Sequence, residues 1–289
     1  MRIIVIIGPT GVGKTKLSIS LAKKLDAYIL NGDSMQVYKS LDIGTAKIKE
    51  NEKQGIKHFL FDIVEPTDNF NIYEYQKLGR ELLDKFIKEK RNVIIVGGSG
   101  LYIKSLLYDY RFQEEENLND YKDLTNEEIL ERIKKTHDTN IHVNNRKRLV
   151  RELNKIENNN NIKSDIFKKM YDFDVIGLTT DRDLLYKIVD DRVDMMVQEG
   201  LVAEVKKLYD KNIRSKSIMT GIGYKELYDY FDKKVSYEEA INNIKKNTRH
   251  FIKRQYTFFN RQMDVNWIKV NFTNFDETVK DALQILKIN

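Results

Sequence analysis

The chain has 289 residues, enough for one large domain or for a core domain carrying a smaller insert, and 41% hydrophobic with 10% aromatic residues suffices for a sizeable buried core. With 33% charged residues and a formal net charge of +6, the chain permits a polyanionic partner such as nucleic acid without demanding one. It contains no cysteine, which excludes disulfides, thiolate metal sites and cysteine nucleophiles.

The N-terminus is basic and then apolar, the outline of a secretory leader. Its apolar run, Ile3 to Ile7, stops at Gly8-Pro9, too short for a leader core or a membrane span. A buried strand explains it better, and the chain is expected to be cytoplasmic with no membrane contact. Leu17, Leu21 and Leu25 then recur at helical spacing, with Lys16, Lys23 and Lys24 off that line. Strands are expected at 27–30, 59–64 and 93–96, with a helix marked by Tyr75, Leu78, Leu82 and Phe86 between the last two. The alternation predicts a parallel sheet flanked by helices, with functional residues at the carboxyl ends of its strands. Near residue 110 the composition turns acidic and polar. A helix follows around 146–156, then an asparagine-rich run at 158–161 read as a solvated loop, and a strand-like DVIGL at 174–178 resumes the sheet. The expected organisation is an α/β core made of 1–109 and 172–289, its C-terminal part helical, interrupted by a helical insertion at 110–171. A long basic helix is expected from Tyr237 to about Asn260.

GPTGVGKT at 8–15 matches G-x-x-x-x-G-K-S/T in full, between a strand and a helix. This is the context of a P-loop, so the fold class is a P-loop NTPase-like α/β core with a mainly helical insertion. Gly8, Pro9, Thr10, Gly11, Val12 and Gly13 form a loop whose N–H groups cradle phosphate; Lys14 adds a cation, and the Thr15 hydroxyl is a Mg²⁺ ligand candidate. Ordinary P-loop NTPases carry an acid at the end of a hydrophobic strand to help hold the metal. Here the strand NVIIV ends in Gly97-Gly98, which argues for a cradle used for something other than ATP hydrolysis. NGDSMQVY at 31–38 puts a carboxylate, hydroxyl and amide just past the second strand, making Asp33 a general-base candidate; a plain aspartate cap is the alternative. GGSG at 97–100 offers the Ser99 hydroxyl at the next strand end, with an ordinary strand–turn–helix link as its alternative.

These motifs, together with DIGTAK at 42–47, R-x-x-x-M-x-x-x-G-L-x-x-E-V from Arg192 to Val205, GIGYKE at 221–226 and KRQYTFF at 253–259, stand in the order seen in tRNA dimethylallyltransferases. NRKRLVREL at 145–153 also resembles that family, and the resemblance runs through nearly the whole chain except the acidic part of the insertion. It implies transfer of a dimethylallyl group from dimethylallyl diphosphate to N6 of the adenosine 3′-adjacent to the anticodon, position 37 of tRNA. The P-loop, with Lys225 and Arg254, would bind the diphosphate with Mg²⁺ as cofactor. Asp33 and Ser99 would be catalytic. Asp33, Ser34, Met35, Gln36 and Ser99, with Lys147, Arg148, Leu149, Val150 and Arg151, would meet the anticodon stem-loop. Two departures stand out: Ser99 where the family usually carries threonine, and His58-Phe59 where it often has two histidines. A small-molecule P-loop kinase is the runner-up, and nothing in the sequence demands more than a monomer.

The basic set Lys245, Lys246, Arg249, Lys253 and Arg254 suits phosphates, and Arg146 is grouped with Lys147, Arg148 and Arg151 for the same reason. Phe258 and Phe259 fit the core better than unstacked bases.

Overall fold

The computed structural model describes residues 1–112, 119–158 and 166–288. Two units emerge: one of Met1–Tyr108 with Lys169–Asn289, the other of Asp109–Lys168.

The first unit is built on a parallel sheet of six strands, β1 (Ile3–Ile7), β2 (Tyr28–Asn31), β3 (His58–Phe59), β4 (Val93–Val96), β5 (Asp174–Thr179) and β6 (Asn266–Lys269), in the order β3-β2-β4-β1-β5-β6. Alternation along β1 divides the core. Ile3, Val5 and Ile7 face a cluster with Tyr75, Leu83 and Phe86 of α2 (Ile72–Lys88) and Ile103 and Leu106 of α3 (Gly100–Leu107). Ile4 and Ile6 face Leu17 and Leu21 of α1 (Lys14–Leu25), with Phe275 and Ala282 of α11 (Phe275–Ile285). Burial on both faces is why β1 and β4 read as unbroken apolar runs.

The strand expected at 59–64 ends after Phe59. Leu60 and Asp62 take left-handed backbone angles, φ 62° and 52°, and only an isolated bridge, Tyr38 to Val64, follows. In α2 the buried stripe is Tyr75, Gly79, Leu83 and Phe86, while Leu78 is exposed. Gly79 is what moves the stripe: a methyl there would sit 2.8 Å from Leu106. Neither β6 nor α11 is anticipated by the sequence reading.

A third cluster joins residues 37–41 to α6 (Arg182–Glu199), α7 (Leu201–Asp210), α8 (Lys216–Thr220), α9 (Tyr224–Phe231) and α10 (Tyr237–Gln262). In α10, Phe259 is fully buried and Phe258 packs against the sheet cluster, as the apolar reading of both expects. No helix among the described residues is long and apolar enough to cross a membrane.

The second unit contains α4 (Asn126–Lys134) and α5 (Arg146–Glu157), joined by a core of Tyr121, Ile129, Ile133, Leu149 and Leu153. Thr125 and Glu128 cap α4 reciprocally, and the Asn145 side chain caps α5. Most of the asparagine run at 158–161 lies outside the described residues.

Candidate active site

The carboxyl ends of β1, β2 and β4 open into a cavity of about 890 Å³, also lined by α6 and α10 and by the turn between α8 and α9. At its floor the P-loop leaves β1 and enters α1 through Gly13, whose φ of 99° a side chain would strain and whose Cβ would meet the Phe275 ring at 2.9 Å. Lys14 folds back over the loop, its Nζ donating to the carbonyls of Gly8 (3.0 Å) and Pro9 (2.7 Å). Thr10, Gly11, Gly13, Lys14 and Thr15 line the cavity. Gly8 and Pro9 act through those carbonyls, and the Val12 side chain is fully buried in the core, leaving that residue only its backbone for a phosphate.

Asp33 stands at the end of β2, held by a device that the motif alone does not reveal. Asn31 is fully buried; its Oδ1 accepts the Asp33 N–H at 2.9 Å and its Nδ2 donates to the carbonyls of Asp33 (3.0 Å) and Leu60 (2.9 Å). The Tyr75 hydroxyl donates to the Asn31 carbonyl at 2.7 Å. The next turn closes when Asp33 Oδ1 accepts the Met35 N–H at 2.9 Å. Burial raises the Asp33 carboxyl above the usual carboxylate range, against the pull of that N–H and of Lys14. Burial lowers Lys14 to about 8, opposed by Asp33 and assisted by Arg192. The three groups therefore share one electrostatic environment.

Arg192, from α6, is the residue that sequence reasoning missed. It lines the cavity, is desolvated enough for its pKa to fall, and has no hydrogen-bond or ion-pair partner among the described residues. Its signal was the R-x-x-x-M-x-x-x-G-L stretch, which carries no chemistry until the fold brings α6 beside the P-loop.

Ser99 Oγ accepts the Ser34 N–H at 2.9 Å and donates to Ser34 Oγ at 3.1 Å, tying the β4 loop to the Asp33 turn. The glycine end of β4 has a packing cause: a Cβ on Gly97 would overlap the backbone of Gly32, so no acid fits at that position. Ser34, Met35 and Gln36 line the same cavity, and Gln36 Nε2 donates to the Thr45 carbonyl at 2.9 Å. His58 lines it too; its Nδ1 lies 2.8 Å from the Ile56 carbonyl and so carries a proton, and burial lowers its pKa against the pull of that carbonyl.

Arg254 lines the cavity, but Lys225 does not: it is exposed on α9, outside the lining that its neighbours Gly223 and Tyr224 join. Lys225 therefore stands outside the cavity lining, whereas the resemblance implies that it binds the diphosphate. In the second unit, Lys147, Arg148 and Arg151 are exposed along α5 and without ion-pair partners among the described residues. The Leu149 side chain is fully buried in that unit's core, which leaves that residue only its backbone for an RNA contact, and Val150 is half-buried beside it. Arg146 faces inward as well, donating to the carbonyls of Leu124 (2.9 Å) and Tyr121 (2.6 Å) and to Asn126 Oδ1 (3.0 Å). On α10, Arg249 grips both oxygens of Asp190 and Lys245 pairs with Asp194 at 2.7 Å, so these cations serve helix packing.

A model of the family described as IPP transferase matches residues 36–262. A tRNA dimethylallyltransferase of Anoxybacillus flavithermus is 42% identical over 299 residues, covering 99% of this chain and 96% of its own. The crystal structure of the full-length tRNA isopentenylpyrophosphate transferase from Bacillus halodurans is 36% identical, with a TM-score of 0.79 across 99% of this chain and 95% of that one. A eukaryotic dimethylallyltransferase caught acting on tRNA is 25% identical at TM-score 0.81, covering 99% of this chain and 79% of its own. The sheet order, the P-loop and a family match across most of the sequence agree: the chain belongs to the IPP transferase family.

Proposed function

We propose that this chain transfers a dimethylallyl group from dimethylallyl diphosphate to N6 of the adenosine 3′-adjacent to the anticodon of tRNA, position 37. One observation carries the reading: the half-buried carboxylate of Asp33 shares a cavity with a complete phosphate cradle whose neighbouring strand ends in glycine. Adenine N6 is a poor nucleophile because its lone pair is delocalised into the ring, and a base that takes its proton relieves this. Asp33 accepts that proton as the N6–carbon bond forms and the carbon–oxygen bond to diphosphate breaks; the electron pair leaves with the diphosphate. The P-loop N–H groups, Lys14 and Arg192 meet the growing negative charge.

Thr15 fits a Mg²⁺ ligand, because it lines the cavity at the start of α1, its hydroxyl has no partner among the described residues, and the Ser/Thr of a P-loop commonly holds Mg²⁺. When bound, the ion neutralises part of the diphosphate charge. The target base must leave its stack to enter the cavity, and Lys147, Arg148 and Arg151 supply exposed cations for the stem-loop phosphates. Such a reaction belongs to the cytoplasm, where unmodified tRNA is found, and needs one copy of the chain.

The test is to incubate the protein with unmodified tRNA, dimethylallyl diphosphate and Mg²⁺ and to weigh the released nucleosides. One five-carbon unit gained on the adenosine beside the anticodon is expected. ATP-dependent phosphorylation of a metabolite without RNA would replace this reading with a kinase.

A further inference from the structure

Glu204 lies in the first turn of α7, at the acidic position of the stretch from Arg192 to Val205. Its carboxylate accepts three successive backbone N–H groups, from Asp42 (3.0 Å), Ile43 (2.8 Å) and Gly44 (3.1 Å), and the Tyr224 hydroxyl at 2.7 Å. Three N–H groups converging on one carboxylate is the geometry of an anion nest, here filled by the protein's own side chain. The approach leaves no slack. A Cβ on Gly44 would stand 2.7 Å from the Tyr224 ring and hydroxyl, so only glycine lets this loop lie against the tyrosine.

The far end of the loop is fixed independently. Lys47 is buried, and its ammonium donates to the Tyr38 carbonyl (2.7 Å), Asp42 (2.7 Å) and Asp62 (2.5 Å). Between these anchors Gly44, Thr45 and Ala46 line the cavity, and the carbonyls of Thr45 and Ala46 accept Gln36 Nε2 at 2.9 and 3.4 Å. The nitrogen end of that amide is thereby held toward backbone. Its Oε1 has no partner among the described residues, which makes Gln36 an acceptor toward whatever shares the cavity.

We infer that Glu204 is a positioning residue for acceptor recognition: by locking loop 42–46 it fixes which end of the Gln36 amide meets the target base, and so favours a base edge that donates over one that accepts. Adenine presents an amino group at carbon 6, whereas hypoxanthine presents a carbonyl there. The inference rests on the prenyl-transfer reading. It assigns Glu204 no contact with either substrate.

The test uses the full chain with Glu204→Gln, Glu204→Ala and Tyr224→Phe variants. Two stem-loop RNAs are compared, one carrying adenosine and one inosine at the target position, the second as a competitive binder. Losing charge-assisted hydrogen bonds of about 1.5–3 kcal/mol corresponds to a rise in RNA KM of about 10- to 150-fold for Glu204→Ala. A smaller rise is expected for Glu204→Gln and for Tyr224→Phe, with donor KM unchanged in all three. The preference for the adenosine RNA over the inosine RNA should shrink in the same order, and hydrogen exchange should quicken at the amides of residues 42–44. If a folded Glu204→Gln protein keeps both RNA KM and base preference while those amides exchange faster, Glu204 only braces the loop and the inference fails. If Glu204→Ala does not fold, the Gln and Phe variants decide alone. Should the unsubstituted protein transfer nothing to the adenosine RNA, the prenyl-transfer reading fails instead.

Discussion

Asp33 and Lys14 are perturbed in opposite directions by the same burial, and each is partly rescued by the other. The base works only as a carboxylate and the cradle cation only as an ammonium, so kcat/KM should be bell-shaped in pH. It rises as Asp33 ionises, above the usual carboxylate range, and falls as Lys14 loses its proton at about 8 in the free enzyme. Asp33→Asn should cut transfer by about 10²- to 10⁴-fold, the range expected for losing a general base, while donor binding below pH 7 is retained. It should also shift the alkaline loss of donor binding to lower pH, since the carboxylate that props up the Lys14 pKa is gone. Titrating donor affinity across pH for both proteins checks this; an unmoved alkaline limb would mean that the two groups are not coupled. A third expectation concerns Asn31. Because it holds Asp33 by both its N–H and its carbonyl, Asn31→Ala should lower kcat more than either KM. Asn31 is invisible in sequence because an asparagine at a strand end reads as an ordinary turn residue. Arg192 is hidden for a different reason: its importance comes from desolvation beside Lys14, which no local pattern encodes.

Among the elements, those buried on two faces are legible in sequence and those defined by a turn are not. β1, β4 and β5 announce themselves as apolar runs, and α10 follows from twenty-six residues without a helix breaker. β3 stops early because Leu60 and Asp62 turn left-handed, where Asn31 holds the Leu60 carbonyl and Lys47 the Asp62 carboxylate, contacts that no local pattern encodes. The stripe of α2 reads through Leu78 in sequence because leucine outranks glycine in any apolar count, whereas the close approach of α3 needs Gly79. The same logic yields a prediction for the end of β4. Gly97→Ala forces a methyl into the Gly32 backbone and should destabilise the protein by about 3 kcal/mol or more, the upper end for overpacking. Thermal unfolding checks it; an unchanged midpoint would mean that β2 and β4 can separate at no cost.

For the molecule as a whole, formal charge overstates what is available to RNA. The run NRKRLVR carries four cations, yet Arg146 is spent on carbonyls and an asparagine inside its own unit. On α10, Arg249 and Lys245 are neutralised by α6. Alanine at Lys147, Arg148 or Arg151 should weaken RNA binding across sequences and lower the salt slope by about one for each phosphate left without its cation. Alanine at Arg249 should lower stability and leave that slope alone. Binding measured from low to moderate salt separates the two groups, and a slope that falls equally for Arg249→Ala would return α10 to the RNA surface.

The sheet's two margins carry a consequence of their own. One border strand is the two-residue β3 and the other is the four-residue β6, whose Lys269 pairs with Asp181. A visiting polypeptide would find a ledge only a few peptide units long on one flank and a guarded one on the other. Strand-by-strand growth into fibrils or swapped assemblies therefore has little to start from, and the apolar interior can stay rich in valine and isoleucine without inviting its neighbours to join.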